Sequence, residues 1–155
     1  MVFDATSQDT TSVFTMTRTV TAVNRLINFM TSDGSMNRIF KAIQAVSVTD
    51  KCLTCRFQVT KLETNSLETL HGAYIAGVVD FVSSVDLAAH GHLKHVTVTM
   101  GIECFRPGPY ESWVKVDSYI LNKGKRLAFC DVRFTEEATG KLLARGSHTK
   151  FLISD

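Results

Sequence analysis

A chain of 155 residues is one domain in size, or one domain with an added arm. With 45% hydrophobic, 9% aromatic and 21% charged residues it can bury a core, which excludes a disordered chain. Its 17 Lys and Arg against 15 Asp and Glu leave a formal charge of +2, which excludes a charge-dominated nucleic-acid binder. The longest uninterrupted apolar stretch, residues 74–79, stops at Asp80, so no membrane span is expected. Cys52, Cys55, Cys104 and Cys130 are too scattered for a disulfide scaffold and are expected as reduced thiols. The chain does not open like a secretory signal. Its Thr- and Ser-rich first thirty residues, with Arg18 and Arg25 against Asp4 and Asp9, match a mitochondrial presequence only weakly. The expected compartment is the cytoplasm, with the mitochondrion as the alternative.

Residues 1–12 are polar and aperiodic and are expected as an arm. Phe14, Val20, Val23, Ile27 and Met30 then recur at threes and fours, which predicts an amphipathic helix over 13–30 that ends at Thr31-Ser-Asp-Gly34. Arm and helix together form an N-terminal unit, 1–38, before a main domain, 39–155. After a short piece through Met36 and Phe40, two β-rich runs at 43–48 and 53–59 read as a hairpin, and 62–69 as a loop. Residues 70–90 are apolar on nearly every side, which predicts a long buried helix stopped by His90-Gly91. The period then falls to two. Val96, Val98, Met100, Ile102 and Cys104 alternate with polar residues and predict a half-buried strand, broken by Arg106-Pro-Gly-Pro109. Three more strands, 113–121, 126–135 and 141–153, are separated by turns at Asn122-Lys-Gly-Lys125 and Ala138-Thr-Gly140. The predicted class is α+β: about six antiparallel strands curled around one long helix, with a second helix at the N-terminus. The remaining sheet face needs a cover, which predicts a homo-oligomer.

Asp80 interrupts the apolar helix. A carboxylate there needs a partner or a wet cleft, so it is either a structural ion pair or a general base or nucleophile. His71-Gly72 opens the same helix, where unpaired N–H groups and the helix dipole favour an electron-rich oxygen, although many helices begin with Gly. Asp80 lies nine residues after His71, about 13 Å along the axis and half a turn around it. The two cannot serve one reacting carbon within one subunit, so if both are catalytic they must meet across a two-fold interface, with Asp80 supplied by the other chain. Lys123, Lys125 and Arg126 flank Gly124 at a hairpin tip, either as a solvated turn or as a phosphate clamp that Lys61 could join. The Cys52–Cys55 pair lacks a second ligand pair, and His90, His92 and His95 read as a solvated turn, so no metal site is expected.

The segment Asn65-Ser-Leu-Glu-Thr-Leu-His71-Gly72-Ala73 with Asp80, an Asn-x5-His-Gly-x7-Asp spacing, resembles the hotdog-fold acyl-CoA thioesterases. The likeness continues through Val96-Thr-Val-Thr-Met100, through 122–129 and through 138–150, and spans roughly residues 40–153. It implies hydrolysis of acyl-CoA to a free acid and coenzyme A, hence a place in fatty acid metabolism, by dimers with two shared sites, usually paired as tetramers. It implies that Gly72 N–H and Asn65 polarise the thioester carbonyl and that Asp80 of the neighbouring subunit activates water or attacks. Thr97, where relatives commonly carry Ser, orients the water, and His71 places the thioester or the departing thiolate. Coenzyme A is part of the substrate, and no other cofactor is expected. Its binding positions fall on Lys61, His71, Gly72, Ala73, Thr97, Cys104, Asn122, Lys123, Gly124, Lys125, Arg126, Leu127 and Phe151. Ala73, Cys104 and Phe151 depart from the family pattern, the first replacing a second Gly and the others more polar residues. The alternative expectations are a non-catalytic acyl-CoA-binding or scaffold protein on this fold, and a hydratase or dehydratase, against which the Asn65–Asp80 spacing argues.

Overall fold

A computed structural model describes residues 18–153, so the predicted arm and the first turn of the predicted N-terminal helix lie outside the described residues. Helix α1 runs Val20–Ser32, with the Thr19 hydroxyl accepting from Ala22 N–H at its start. It buries Val23, Leu26 and Ile27 in the main core. Asn24 clips it to strand β1 (Gln44–Val48), donating from Nδ2 to Ala45 O at 3.0 Å and accepting from Ala45 N–H at 2.9 Å. A 3-10 turn, Met36–Phe40, places Phe40 against Tyr74 and Phe81.

Strand β2 (Leu53–Gln58) pairs with β1, and helix α2 spans Gly72–Ala89. Strands β3 (His95–Cys104), β4 (Trp113–Lys123), β5 (Leu127–Glu136) and β6 (Leu142–Leu152) complete one antiparallel sheet in the order β1-β2-β4-β5-β6-β3. The sheet curls around α2, which is the hotdog fold. By length and composition α2 could cross a bilayer, unlike the expectation drawn from unbroken apolar runs. Here it is the core helix: 13 of its 18 residues are buried, with Val78, Val79, Val82 and Val85 against Val114, Val116, Val132 and Phe134. Burial of that apolar surface is the main force holding sheet and helix together. Helix and sheet meet closely because Gly146 faces Val79; a Cβ on Gly146 would lie 2.3 Å from Val79 Cγ2.

Strand β3 corrects one expectation. It was predicted half-buried, yet Val96 (51%), Val98 (55%), Met100 and Ile102 (both 38%) are all exposed. The cause is position: β3 pairs with β6 alone, at the edge of the sheet. A register shift between Thr97 and Thr99 also breaks the alternation. Thr97 stands opposite Lys150, Met100 opposite His148 and Ile102 opposite Gly146, so these share the helix-facing side, while Val96 and Thr99 face outward.

Candidate functional site

The head of α2 is held by the loop before it. Thr60 and Glu63 form a capping box around the turn Lys61–Glu63, and His71 N–H donates to Glu63 O at 2.8 Å. Asn65 Oδ1 accepts from the N–H groups of Leu67 and Thr69, while its Nδ2 donates to Thr69 Oγ1 at 3.0 Å, leaving one amide hydrogen for a ligand. His71 caps the helix: its Nδ1 accepts from Ala73 N–H at 2.9 Å, which puts the ring proton of the neutral form on Nε2. That bond also occupies the Ala73 N–H. Gly72 N–H has no acceptor within the helix, and a Cβ built on Gly72 meets nothing within 4 Å. The helix thus presents the open Gly72 N–H at its positive end.

Two turns further on, Asp80 reaches the edge of the helix cover with its side chain 52% exposed. Its Oδ1 accepts from Lys150 Nζ at 2.8 Å and lies 3.4 Å from Thr97 Oγ1 and 3.8 Å from His148 Nε2. Burial pushes the Asp80 carboxyl up, but the Lys150 hydrogen bond and charge outweigh it and hold the group below the ordinary carboxylate value. Burial, then the Lys150 charge, push the His148 imidazole down to about 4, so it is neutral at physiological pH.

That neutrality orders the protons around Thr97. Ser83 Oγ donates to Val79 O at 2.7 Å, so it accepts from His148 Nδ1–H at 2.8 Å. His148 Nε2 is then an acceptor and takes the Thr97 hydroxyl proton at 3.0 Å. Thr97 keeps oxygen lone pairs on the Asp80 side, able to accept from a water that also donates to the carboxylate.

The other expected residues fall into two groups. Lys61, paired with Glu68 at 3.2 Å, lies with Asn65, His71, Gly72 and Ala73 near the head of α2. Cys104, exposed and opposite Ala144, belongs to that end, where Leu70 N–H meets Gly108 O. At the other end of β3, Leu127 stands opposite Phe151, Asn122 opposite Phe129 and Lys123 opposite Ala128. Lys123 Nζ is 2.6 Å from His92 Nε2, and Gly124, Lys125 and Arg126 form the exposed tip. Thr97 and Cys104 are seven residues apart on one strand, about 23 Å. One chain therefore keeps its carboxylate end and its open N–H end well apart. Among the described residues, no three His, Cys, Asp or Glu side chains gather to hold a metal ion. Ser83, Ser84, His148 and Lys150 were not anticipated from the sequence; Ser83 and Ser84, three and four residues after Asp80, were the available signal.

The family model described as Thioesterase superfamily matches residues 67–142, which include Gly72, Asp80 and Thr97. Acyl-coenzyme A thioesterase 13 of Homo sapiens is 33% identical over 138 residues, 88% of this chain and 99% of that protein. The chain belongs to the thioesterase superfamily. Among solved structures, thioesterase superfamily member 2 from Mus musculus matches with a TM-score of 0.80 at 32% identity, over 86% of this chain and 97% of that one. A hypothetical thioesterase protein with coenzyme A from Streptococcus pneumoniae shares the fold, with a TM-score of 0.69 at 18% identity over 75% of this chain and 92% of that one. This thioesterase-superfamily chain therefore carries both an open helix N-terminus and an ionised carboxylate on its core helix.

Proposed function

We propose that the chain is an acyl-CoA thioesterase that hydrolyses acyl-CoA to a carboxylic acid and coenzyme A in a site shared by two subunits. The observation that carries this reading is Asp80, an ionised, half-exposed carboxylate on a mostly buried helix, beside a hydroxyl with free lone pairs. The human relative named as an acyl-coenzyme A thioesterase and the streptococcal structure with coenzyme A support the substrate class.

The second subunit is the partner that β3 lacks. An edge strand exposing four apolar side chains is a surface that a second copy would cover. A two-fold pairing there would set Asp80 of one protomer against the Gly72 head of its mate. The thioester oxygen accepts from Gly72 N–H and the spare hydrogen of Asn65. Water gives a proton to Asp80 and its oxygen bonds to the carbonyl carbon. When the C–S bond breaks, the sulfur keeps the electron pair and takes the proton back, leaving acid and thiol. His71 lies beside the departing sulfur. Lys123, Lys125 and Arg126 bind phosphates of coenzyme A, and Leu127 and Phe151 line its path.

Replacing Asp80→Asn keeps the shape and removes the base. Thiol release from acyl-CoA should fall about 10²- to 10⁴-fold with the oligomer unchanged by light scattering. Turnover near the wild-type rate in that variant would refute the assignment.

A further inference from the structure

Lys150 takes no part in the steps above, yet its surroundings are specific. Its side chain is 3% exposed, on the helix-facing side of β6, with Thr97 and Ala128 opposite on the flanking strands. A lysine amine so enclosed needs good hydrogen-bond acceptors. It has two: Asp80 Oδ1 at 2.8 Å and Ser84 Oγ at 2.6 Å. Ser84 gives its own proton to Asp80 O at 2.6 Å, so it turns lone pairs toward the ammonium. The strand register fixes the root of the lysine and Ser84 fixes its tip.

The half-exposed Asp80 side chain, by contrast, has little packing to stop its carboxylate turning. Lys150 engages Oδ1 and leaves Oδ2 as the oxygen able to take a proton from water. We infer that Lys150, tethered by Ser84, is a positioning residue that holds Asp80 Oδ1 and thereby fixes Oδ2 for proton abstraction; this rests on the role given to Asp80 above.

The other groups around Asp80 do not duplicate this charge. His148 on β6 is neutral. His95 on β3 is held below the ordinary imidazole value by burial and then by Lys150. Thr97 on β3 and Ser83 and Ser84 on α2 contribute hydroxyls. Lys150 is the cation in contact with the carboxylate, so its removal should raise the pH at which Asp80 takes up a proton. Activity that needs the carboxylate ionised is lost as pH falls through that value, and the acid limb should move upward.

The experiment measures kcat and KM against pH for Lys150→Met, Lys150→Arg and Ser84→Ala. Lys150→Met should lower kcat about 10- to 100-fold with KM little changed, and should shift the acid limb of kcat to higher pH. Lys150→Arg should restore the limb and part of kcat. Ser84→Ala, which keeps the charge and loosens the tether, should lower kcat several-fold without moving the limb. A folded Lys150→Met with wild-type kcat and an unmoved limb overturns the inference. If Lys150→Met does not fold, wild-type kcat in Ser84→Ala overturns it and a reduced kcat supports it. Failure of the hydrolase reading is separate: wild-type protein would release no thiol. Carboxyl NMR titration of Asp80, higher in Lys150→Met than in wild type if the grip is real and unchanged if it is not, would then decide the contact alone.

Discussion

At the scale of single residues, the proposed mechanism rests on the backbone N–H of Gly72, and a side-chain deletion cannot remove that group. Proline can. Gly72 is the first helical residue, where proline fits, and His71 before it has φ −73° and ψ 132°, the extended backbone proline prefers in its predecessor. The space around Gly72 is open. Gly72→Pro should therefore fold with a melting temperature close to wild type, yet lose about 10²- to 10³-fold in kcat on acyl-CoA, the usual loss for one carbonyl-polarising donor. Unimpaired turnover would show that another donor holds the carbonyl. Gly72 and Asp80 were both legible in the sequence, since one opens an apolar helix and the other interrupts it. His148 and Lys150 were not. The two faces of β6 carry Ala144, Gly146, His148 and Lys150 on one side and Arg145, Ser147, Thr149 and Phe151 on the other, and neither set reads as a core face. Only the fold shows that the pair with the imidazole and the ammonium lies under the helix.

At the scale of elements, the turn signals and the change of period placed all six strands and both helices to within a few residues over the described part of the chain. Burial was harder to read. Strand β3 has the alternation of a half-buried strand, but its place at the edge depends on long-range pairing with β6, which no local pattern encodes. Its register shift also puts Thr97 on the same side as Met100, against strict alternation, and that carries the Thr97 hydroxyl to His148 and Asp80. The seat of α2 on the sheet leads to a stability prediction. Gly146→Ala would drive a methyl into both Val79 γ-carbons, at 2.3 and 2.8 Å, and a β-branched side chain on a helix has almost no other rotamer to adopt. Denaturant unfolding should show a loss of about 1–3 kcal/mol. Adding Val79→Ala should recover part of it, so that the two losses are not additive. Strict additivity would mean that the clash is relieved elsewhere.

At the scale of the whole molecule, the proposed sharing of one site between two chains can be tested by mixing them. Neither Asp80→Asn nor Gly72→Pro assemblies should turn over acyl-CoA at an appreciable rate. Co-expressed in equal amounts and paired at random, half the dimers are hybrids, and each hybrid has one site with both groups intact. Activity should return to about a quarter of wild type, as two-fold symmetry requires. If both groups served a site within one chain, mixing would restore nothing.

The Asn24 clip bears on the size such an assembly can reach. A sheet has two borders, and identical borders able to pair would let copies add end to end without limit. On β1 the Asn24 amide occupies both the N–H and the C=O of Ala45, and the register of that strand shifts beside it, between Ala45 and Ser47. That leaves β3 as the border free to recruit a neighbour. If two copies pair through β3 as proposed, growth by sheet extension would stop there, and the N-terminal helix would act as a terminator of polymerisation as well as a piece of the core.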